Sequence, residues 1–380
     1  MSAAEPGPAF DLLAAWHPGG IYIERDRIGV ATGPGRWVET RDAVEVLRGL
    51  EPGAVAGGAL PFQGPGQLLT GTSIVRREDP YVTTRIGPVV APEMVTGLIP
   101  SDAFAPSALT YEPAPAVYEG AVQEVARRIR AGELRKAVLA RTIEVRAGRP
   151  VDPQRLAHRL RAVDPHAFTF IAPVGDGVLV GASPELLVSR KGTEVRANPL
   201  AGSAPRSGDR DEDRAFAEAL VASAKDREEH AVVVEAVTAV LEPLCETFRT
   251  DPEPVLAETP NVWHLSTRIQ GRLREPAPSA LDLVAALHPT PAVAGTPRSA
   301  ALEVLHQLEA FDRGAYAGPV GWIDAAGDGT WAIALRCALL EGETATLYAG
   351  AGIVGASDAA AELDETDRKF RAFLDALRWG

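Results

Sequence analysis

Three side chains near the C-terminus have the types and spacing to do chemistry. In "ELDETDRK", Glu362, Glu365 and Lys369 fall within about 60° of one another on a helical wheel. Carboxylates in that array can hold a divalent cation through hard oxygen ligands. They can equally form a solvated helix flank with an i,i+4 Glu–Lys pair, worth a few tenths of a kcal/mol. Taken alone, the solvated flank is the simpler account. A second acidic group lies in "SAKDREEHAVVVEA", where Asp226 and Glu229 are three residues apart. His230 falls on the side of Phe216 and Val234, a core position. Two carboxylate clusters on separate helices would together suit Mg²⁺, which prefers carboxylates and water and often bridges to an anionic substrate. Spacing along the chain does not say whether they meet.

Just before the C-terminal helix stands "GAGIVG", which fits G-x-G-x-x-G. A dinucleotide site needs a further parallel strand, ending in an acidic residue about 20 positions on. Only 25 residues follow Gly355, and they read as one helix. A nicotinamide oxidoreductase is thereby disfavoured. Two readings remain: a tight strand-to-helix turn needing positive φ, or a backbone cradle for a carboxylate.

The elements that must position these groups come next. "KAVLARTIEV" reads as a strand after a helix with Val122, Val125 and Ile129 at helical spacing, stopped near Gly132. "FTFIAPV" and "GVLVGAS" form a hairpin across "GDG". A single long helix is predicted over about 209–243, then one strand in "VWHLSTRIQGRL", a short helix in "LDLVAAL", an open proline loop in "HPTPAVAGTPR" and a helix in "SAALEVLHQLE". Three strands follow, in "YAGPVGWID", "GTWAIALRCALLEG" and "TATLYAGAGIV", and a last helix spans about 359–378. Residues 106–120 read as a connector. Residues 1–110, rich in Gly and Pro, read as short strands and turns with no catalytic cluster. Hairpins with inserted helices imply an α+β fold with large, mainly antiparallel sheets.

The 380 residues are 46% hydrophobic and 23% charged, with ample length for a core. A net charge of −13 argues against general affinity for nucleic acid or an anionic membrane. Cys245 and Cys337 form no C-x-x-C pair, so neither a disulfide framework nor a thiolate zinc site is expected. With no visible signal peptide and no long apolar run, the expectation is a cytoplasmic protein.

Ten segments in order carry a resemblance: "KAVLAR", "GASPELL", "PLAGSAPR", "KDREEH", "WHLST", "HPTPAVAGTP", "YAGPVGW", "IALRCA", "YAGAGIVGASD" and "ELDETDRK". Over about residues 115–380 the chain resembles the chorismate-utilising enzymes, which include isochorismate, salicylate, anthranilate and aminodeoxychorismate synthases. That resemblance implies large, mainly antiparallel sheets packed in a sandwich with helices on the outer faces. It implies a sheet-completing role for residues 1–110 and a catalytic region over 111–380, in one integrated domain. Lys136 matches the general base and Glu185 the general acid. Glu229, Glu362 and Glu365 match carboxylates that hold Mg²⁺, which in turn would bind the ring carboxylate of chorismate, with Lys369 beside them. Tyr316, Arg336 and the Gly350 backbone match the pocket for the enolpyruvyl carboxylate. His264, Ala201, Gly202 and Ala292 match substrate-contacting positions.

The chemistry accounts for such a pair. Adding water at C2 and expelling the C4 hydroxyl requires a base for the water and an acid for the leaving group. Within the family the resemblance is greatest to isochorismate synthases. Lys136 supplies a water-activating base that ammonia-using members generally lack. Ala201 stands where aminodeoxychorismate synthases carry a nucleophilic lysine. Ala292, with Val293, matches isochorismate synthases rather than the threonine of salicylate and anthranilate synthases. Tyr316 resembles the salicylate enzymes, so salicylate synthase stays the alternative, and a catalytically silent binder is a third. No glutaminase elbow surrounds either cysteine, so no glutaminase subunit is implied, and a monomer is expected. Which pathway would take up isochorismate, towards menaquinone, siderophores or salicylate derivatives, stays open.

Overall fold

The computed structural model describes residues 12–25, 28–50, 53–71, 74–77 and 108–378. The N-terminal "MSAAEPGPAF" and the first two residues of the 106–120 segment lie outside them. Among the described residues, two large antiparallel sheets and a small three-stranded sheet make up the β-structure. The fold is α+β, as expected. The first large sheet contains Lys136–Arg146, Phe168–Val174, Gly177–Ser183, Cys337–Glu341 and Thr344–Ile353. The second contains Leu186–Lys191, Glu194–Asn198, Ile269–Leu273, Pro319–Asp324 and Gly329–Ile333. The small sheet joins Leu200–Pro205, Val262–Ser266 and Val255–Glu258. Strands from the N-terminal region enter both large sheets. Tyr22–Arg25 pairs with Phe168–Val174, and Val55–Ala59 with Pro319–Asp324.

The first sheet is buried on both faces, and its residues alternate accordingly. Ile23, Phe170 and Leu179 enter a core shared with the second sheet, through Val188, Trp322 and Trp331. Their neighbours Tyr22, Ile171 and Val180 face a second core with Leu156 and Leu160 of the helix Pro153–Val163 and Phe370, Phe373 and Leu377 of the C-terminal helix. Each of those large apolar side chains contributes roughly 1.5–3 kcal/mol by leaving water. Ser279 and Asp282 form a capping box on Ala280–Leu287, which packs on the second sheet.

Helix ends follow local rules. Pro115 opens Pro115–Arg130, and Gly132 closes it at φ +79°. The Gly132 and Glu133 amides donate to the Ile129 and Arg128 carbonyls, a Schellman closure. Asp358 caps the C-terminal helix, its carboxylate accepting from the Ala361 amide at 2.9 Å.

Several expectations are corrected. The long helix over 209–243 is two, Arg210–Ala222 and Ala224–Leu241. Ser223 is extended between them, and its hydroxyl accepts from the Asp226 amide, capping the second helix. "VWHLSTRIQGRL" is two strands, one in the small sheet and one in the second large sheet. "GTWAIALRCALLEG" is also two, Gly329–Ile333 and Cys337–Glu341, in different sheets. An apolar run cannot reveal a crossing, because both halves are buried. Within the supposed connector, Ala108–Glu112 pairs with Thr142–Arg146. The proline loop carries a two-residue strand, Gly295–Thr296, opposite Lys136 and Ala137.

The C-terminal helix is tied to the Lys136–Arg146 strand by Arg141, whose side chain is fully buried. Its guanidinium donates to Thr366 Oγ1 at 2.7 Å and pairs with Asp367, among the rings of Tyr111, Tyr118 and Phe370. Asp367 is partly solvated and keeps water when the arginine is removed, so the cost lies at the low end of the range for breaking a buried pair. Arg141→Ala is expected to lower the unfolding free energy by about 3 kcal/mol, measured by urea denaturation.

Candidate active site

One pocket of about 260 Å³ lies where the chain passes between sheets. Glu185 stands at the crossing from Gly177–Ser183 to Leu186–Lys191, Ala201 to Ser203 follow the crossing into the small sheet, and Arg336 stands at the return to the first sheet. Every residue singled out by the resemblance lines this pocket: Lys136, Glu185, Ala201, Gly202, Glu229, His264, Ala292, Tyr316, Arg336, Gly350, Glu362, Glu365 and Lys369. His230 does not line it. Its imidazole meets Thr267 Oγ1 at 2.7 Å in the interior, the core position its helical phase implied.

Lys136 and Glu185 are no exposed strand-end or turn residues; they are 2% and 3% exposed. Lys136 Nζ pairs with Glu229 Oε1 at 2.9 Å. Burial pushes the Glu185 carboxyl up to about 8, although Lys136 and a backbone hydrogen bond pull the other way. At neutral pH the group is therefore mainly the acid.

The glycine run is not the positive-φ turn that its pattern allowed. Gly350 and Gly352 lie inside the strand Thr344–Ile353, opposite Ala140 and Val138. None of the three glycines has positive φ. Gly350 and Gly352 line the pocket and leave it room. A Cβ on Gly352 would lie 2.3 Å from Glu229 Oε1 and 3.1 Å from Lys136 Cε. One on Gly350 would meet the Tyr316 hydroxyl at 3.1 Å. Gly202 is different: it sits at φ +74° in a register break opposite Val262–Ser266, a conformation that favours glycine.

That break aims the Gly202 carbonyl at His264 Nδ1, 3.3 Å away, while Arg336 Nη2 approaches His264 Nε2 at 3.2 Å. An arginine can only donate, so the imidazole accepts at Nε2 and donates from Nδ1. Burial, then Arg336, hold this histidine neutral, with its pKa lowered to about 3. Arg336 itself adopts φ 50°, the left-handed region that few non-glycine residues enter. Tyr316 stacks on Tyr348 with centroids 4.9 Å apart.

The three proposed metal carboxylates reach the pocket, but each is held by a lysine. Glu229 has Lys136, Glu362 has Lys225 at 3.3 Å, and Glu365 has Lys369 at 2.6 Å. Lys369 also donates to the Gly350 carbonyl at 2.7 Å. Among the described residues, no three Asp, Glu, His or Cys side chains converge as a metal-holding group in this arrangement. Burial and the neighbouring Glu365 raise the Glu362 carboxyl. Burial pushes Glu365 up too, but Lys369 and Ser203 outweigh it and hold the group low. The donors are all hard oxygens, which suit a divalent ion once the lysines give up their contacts.

Sequence reasoning passed over Lys225, Tyr348, Gly352 and the buried pair Glu309–Arg313. Lys225 and Gly352 lie in quoted segments, yet only the fold sets them against Glu362 and Glu229. Nothing in the local pattern around Glu309 and Arg313 distinguishes them from a surface pair.

The chain is similar to known proteins along its length. The model of the family described as "Chorismate binding enzyme" matches residues 100–378. Isochorismate synthase DhbC of Bacillus subtilis is 47% identical over 272 residues, covering 70% of this chain and 68% of that protein. A putative isochorismate synthase MenF of Mycobacterium tuberculosis is 41% identical, covering 99% of this chain and 98% of its own. The crystal structure of a putative 2,3-dihydroxybenzoate-specific isochorismate synthase, DhbC from Bacillus anthracis, superposes with a TM-score of 0.86 at 36% identity, covering 97% of this chain and 99% of that one. With the family model spanning the whole pocket and such identity sustained from end to end, this chain belongs to the chorismate-binding enzymes.

Proposed function

We propose that this protein is an isochorismate synthase, an isomerase that converts chorismate to isochorismate. The observation that carries the reading is the pocket-wall carboxyl of Glu185, buried and protonated at neutral pH, close enough to Lys136 to feel its charge. Glu185 is the general acid that protonates the departing C4 hydroxyl. Lys136, which must first give up its ammonium proton, is as the neutral amine the general base that takes a proton from the water entering at C2. Burial of both excludes bulk water from competing for either proton. Arg336, Tyr316 and the Gly350 backbone bind the enolpyruvyl carboxylate, and neutral His264 keeps Arg336 oriented. Ala201 offers no amine for a covalent intermediate. Ala292 and Val293 leave a small apolar wall, which favours release of isochorismate over pyruvate elimination.

Glu229, Glu362 and Glu365 are the residues that would hold Mg²⁺, with Lys225 and Lys369 giving up their contacts. When bound, Mg²⁺ supplies a positive charge against which the ring carboxylate docks. Residues 1–110 complete the two large sheets of one integrated domain with 111–380, and the protein works without a glutaminase subunit.

An NMR time course of chorismate with purified protein, with and without Mg²⁺, tests the function. Isochorismate is expected to accumulate only with Mg²⁺ and without pyruvate. Salicylate plus pyruvate would make the protein a salicylate synthase, and unaltered chorismate would make it a silent binder.

Glu185→Gln is expected to abolish turnover and to change the pH dependence of stability. The folded carboxyl titrates near 8 and the unfolded one near 4.5. Its stabilising contribution is therefore full below about 4.5 and lost as pH rises to about 8. Thermal melts from pH 5 to 9 should show a shallower decline in the variant than in the parent.

Gly352→Ala forces the Lys136–Glu229 pair apart. A fall in kcat/KM of about 10²-fold is expected, with little change in melting temperature. Steady-state kinetics beside a thermal melt check it.

A further inference from the structure

On the edge facing away from Thr344–Ile353, the Lys136–Arg146 strand has a gap. Gly295–Thr296 covers Ala137 and Lys136, and Ala108–Glu112 covers Thr142 to Arg146. Among the described residues, no strand spans the interval between. The Val138 amide donates to the Ala294 carbonyl at 2.9 Å, and side chains meet the Val138 carbonyl and the Ala140 amide. Arg313 Nη2 donates to the Val138 carbonyl at 2.6 Å, and Glu309 Oε1 accepts from the Ala140 amide at 2.8 Å. The two side chains are themselves a forked pair, Nε to Oε2 at 2.8 Å and Nη2 to Oε1 at 2.5 Å, and are 3% and 6% exposed.

The third arm of the guanidinium reaches the loop that leads into Gly295–Thr296. Arg313 Nη1 donates to the Val293 carbonyl at 2.7 Å, next to Ala292. The Arg313 carbonyl accepts from the Tyr316 amide at 2.8 Å. Phe62 covers the guanidinium face at 4.5 Å, and its carbonyl holds His288 Nε2 at the start of the same loop, 3.0 Å away. One buried ion pair thus spans the strand that begins at Lys136, the Ala292–Val293 wall and the turn bearing Tyr316.

We propose that Arg313, locked by Glu309, is a positioning residue that sets the Ala292–Val293 wall against Lys136 and so governs how chorismate sits and which product leaves. Planarity is the physical reason. A guanidinium fork holds two carbonyls and a carboxylate at fixed angles, whereas an ammonium acts as a single point charge. The inference rests on the isochorismate synthase reading, and wild-type protein is the control for that reading.

Two variants test it. Arg313→Lys keeps the charge for Glu309 but cannot hold Val138 and Val293 together. Arg313→Met combined with Glu309→Leu removes both charges, leaving no unpaired ion in the core. The expected result is a KM for chorismate raised at least about tenfold in both, with more pyruvate released per isochorismate formed. Arg313→Lys is expected to keep a melting temperature near that of the parent. A merely structural role would lower the melting temperature and the active fraction while leaving KM and the product ratio unchanged. That pattern in Arg313→Lys overturns the inference, even if the double variant does not fold. Wild-type protein that leaves chorismate untouched removes the reading beneath it instead.

Discussion

Buried charge is the constraint on which this site depends. Five carboxyl groups, Glu185, Asp226, Glu229, Glu362 and Glu365, line one largely buried pocket, and Asp226 accepts from the Ser223 hydroxyl. An ionised carboxylate in such a place is costly unless it is paired, hydrogen-bonded or protonated. The structure uses each solution. Glu229, Glu362 and Glu365 have lysines, and Glu185 keeps its proton. The same desolvation leaves His264 uncharged beside Arg336. Protonation states that would be unusual in water follow from placement alone. The three lysine-bound carboxylates are also where a divalent ion would find its ligands.

The fold creates that pocket by passing strands between sheets. A continuous strand directs successive side chains to its two faces, and each face of the first large sheet is filled with apolar residues. Several of the pocket's polar groups stand where the chain leaves a sheet. Glu185, Gly202 and Arg336 all stand at or just beyond such crossings. Arg336 accepts a left-handed backbone there, held by the surrounding structure. Lys136 stands at the opening of its strand, and room for its ammonium and Glu229 comes from the missing side chain of Gly352. Arg141 then joins the strand that bears the lysine to the helix that bears two of the carboxylates.

Much of the fold was legible in the chain. Two strand-like runs across "GDG" marked the hairpin over Phe168–Val174 and Gly177–Ser183, and helical spacing up to Gly132 marked the body of Pro115–Arg130, whose first turn falls in the supposed connector. The errors cluster at crossings and caps. "GTWAIALRCALLEG" stays apolar while it changes sheets, and "VWHLSTRIQGRL" does the same. Ser223 divides a helix that hydrophobic phase alone continued. The glycine run left a turn and a carboxylate cradle both open, because its pattern shows where side chains are missing, not what occupies the space.

By itself the sequence determined the element types, the α+β class and, through ten ordered segments, the family and the candidate residues. Those properties depend on local periodicity, on turn chemistry and on residue identity at aligned positions. Tertiary structure alone decided that Glu185 is an acid at neutral pH, that His264 is neutral, and that each metal-type carboxylate has a lysine partner. It alone put Arg313 between Val138 and Val293 and made Gly352 a space for charge. The reason is physical. Periodicity acts between neighbours in the chain, whereas desolvation, Coulomb interaction and steric exclusion depend on distance in space, and Lys136 meets Glu229, and Arg313 meets Val138, only after the sheets have formed.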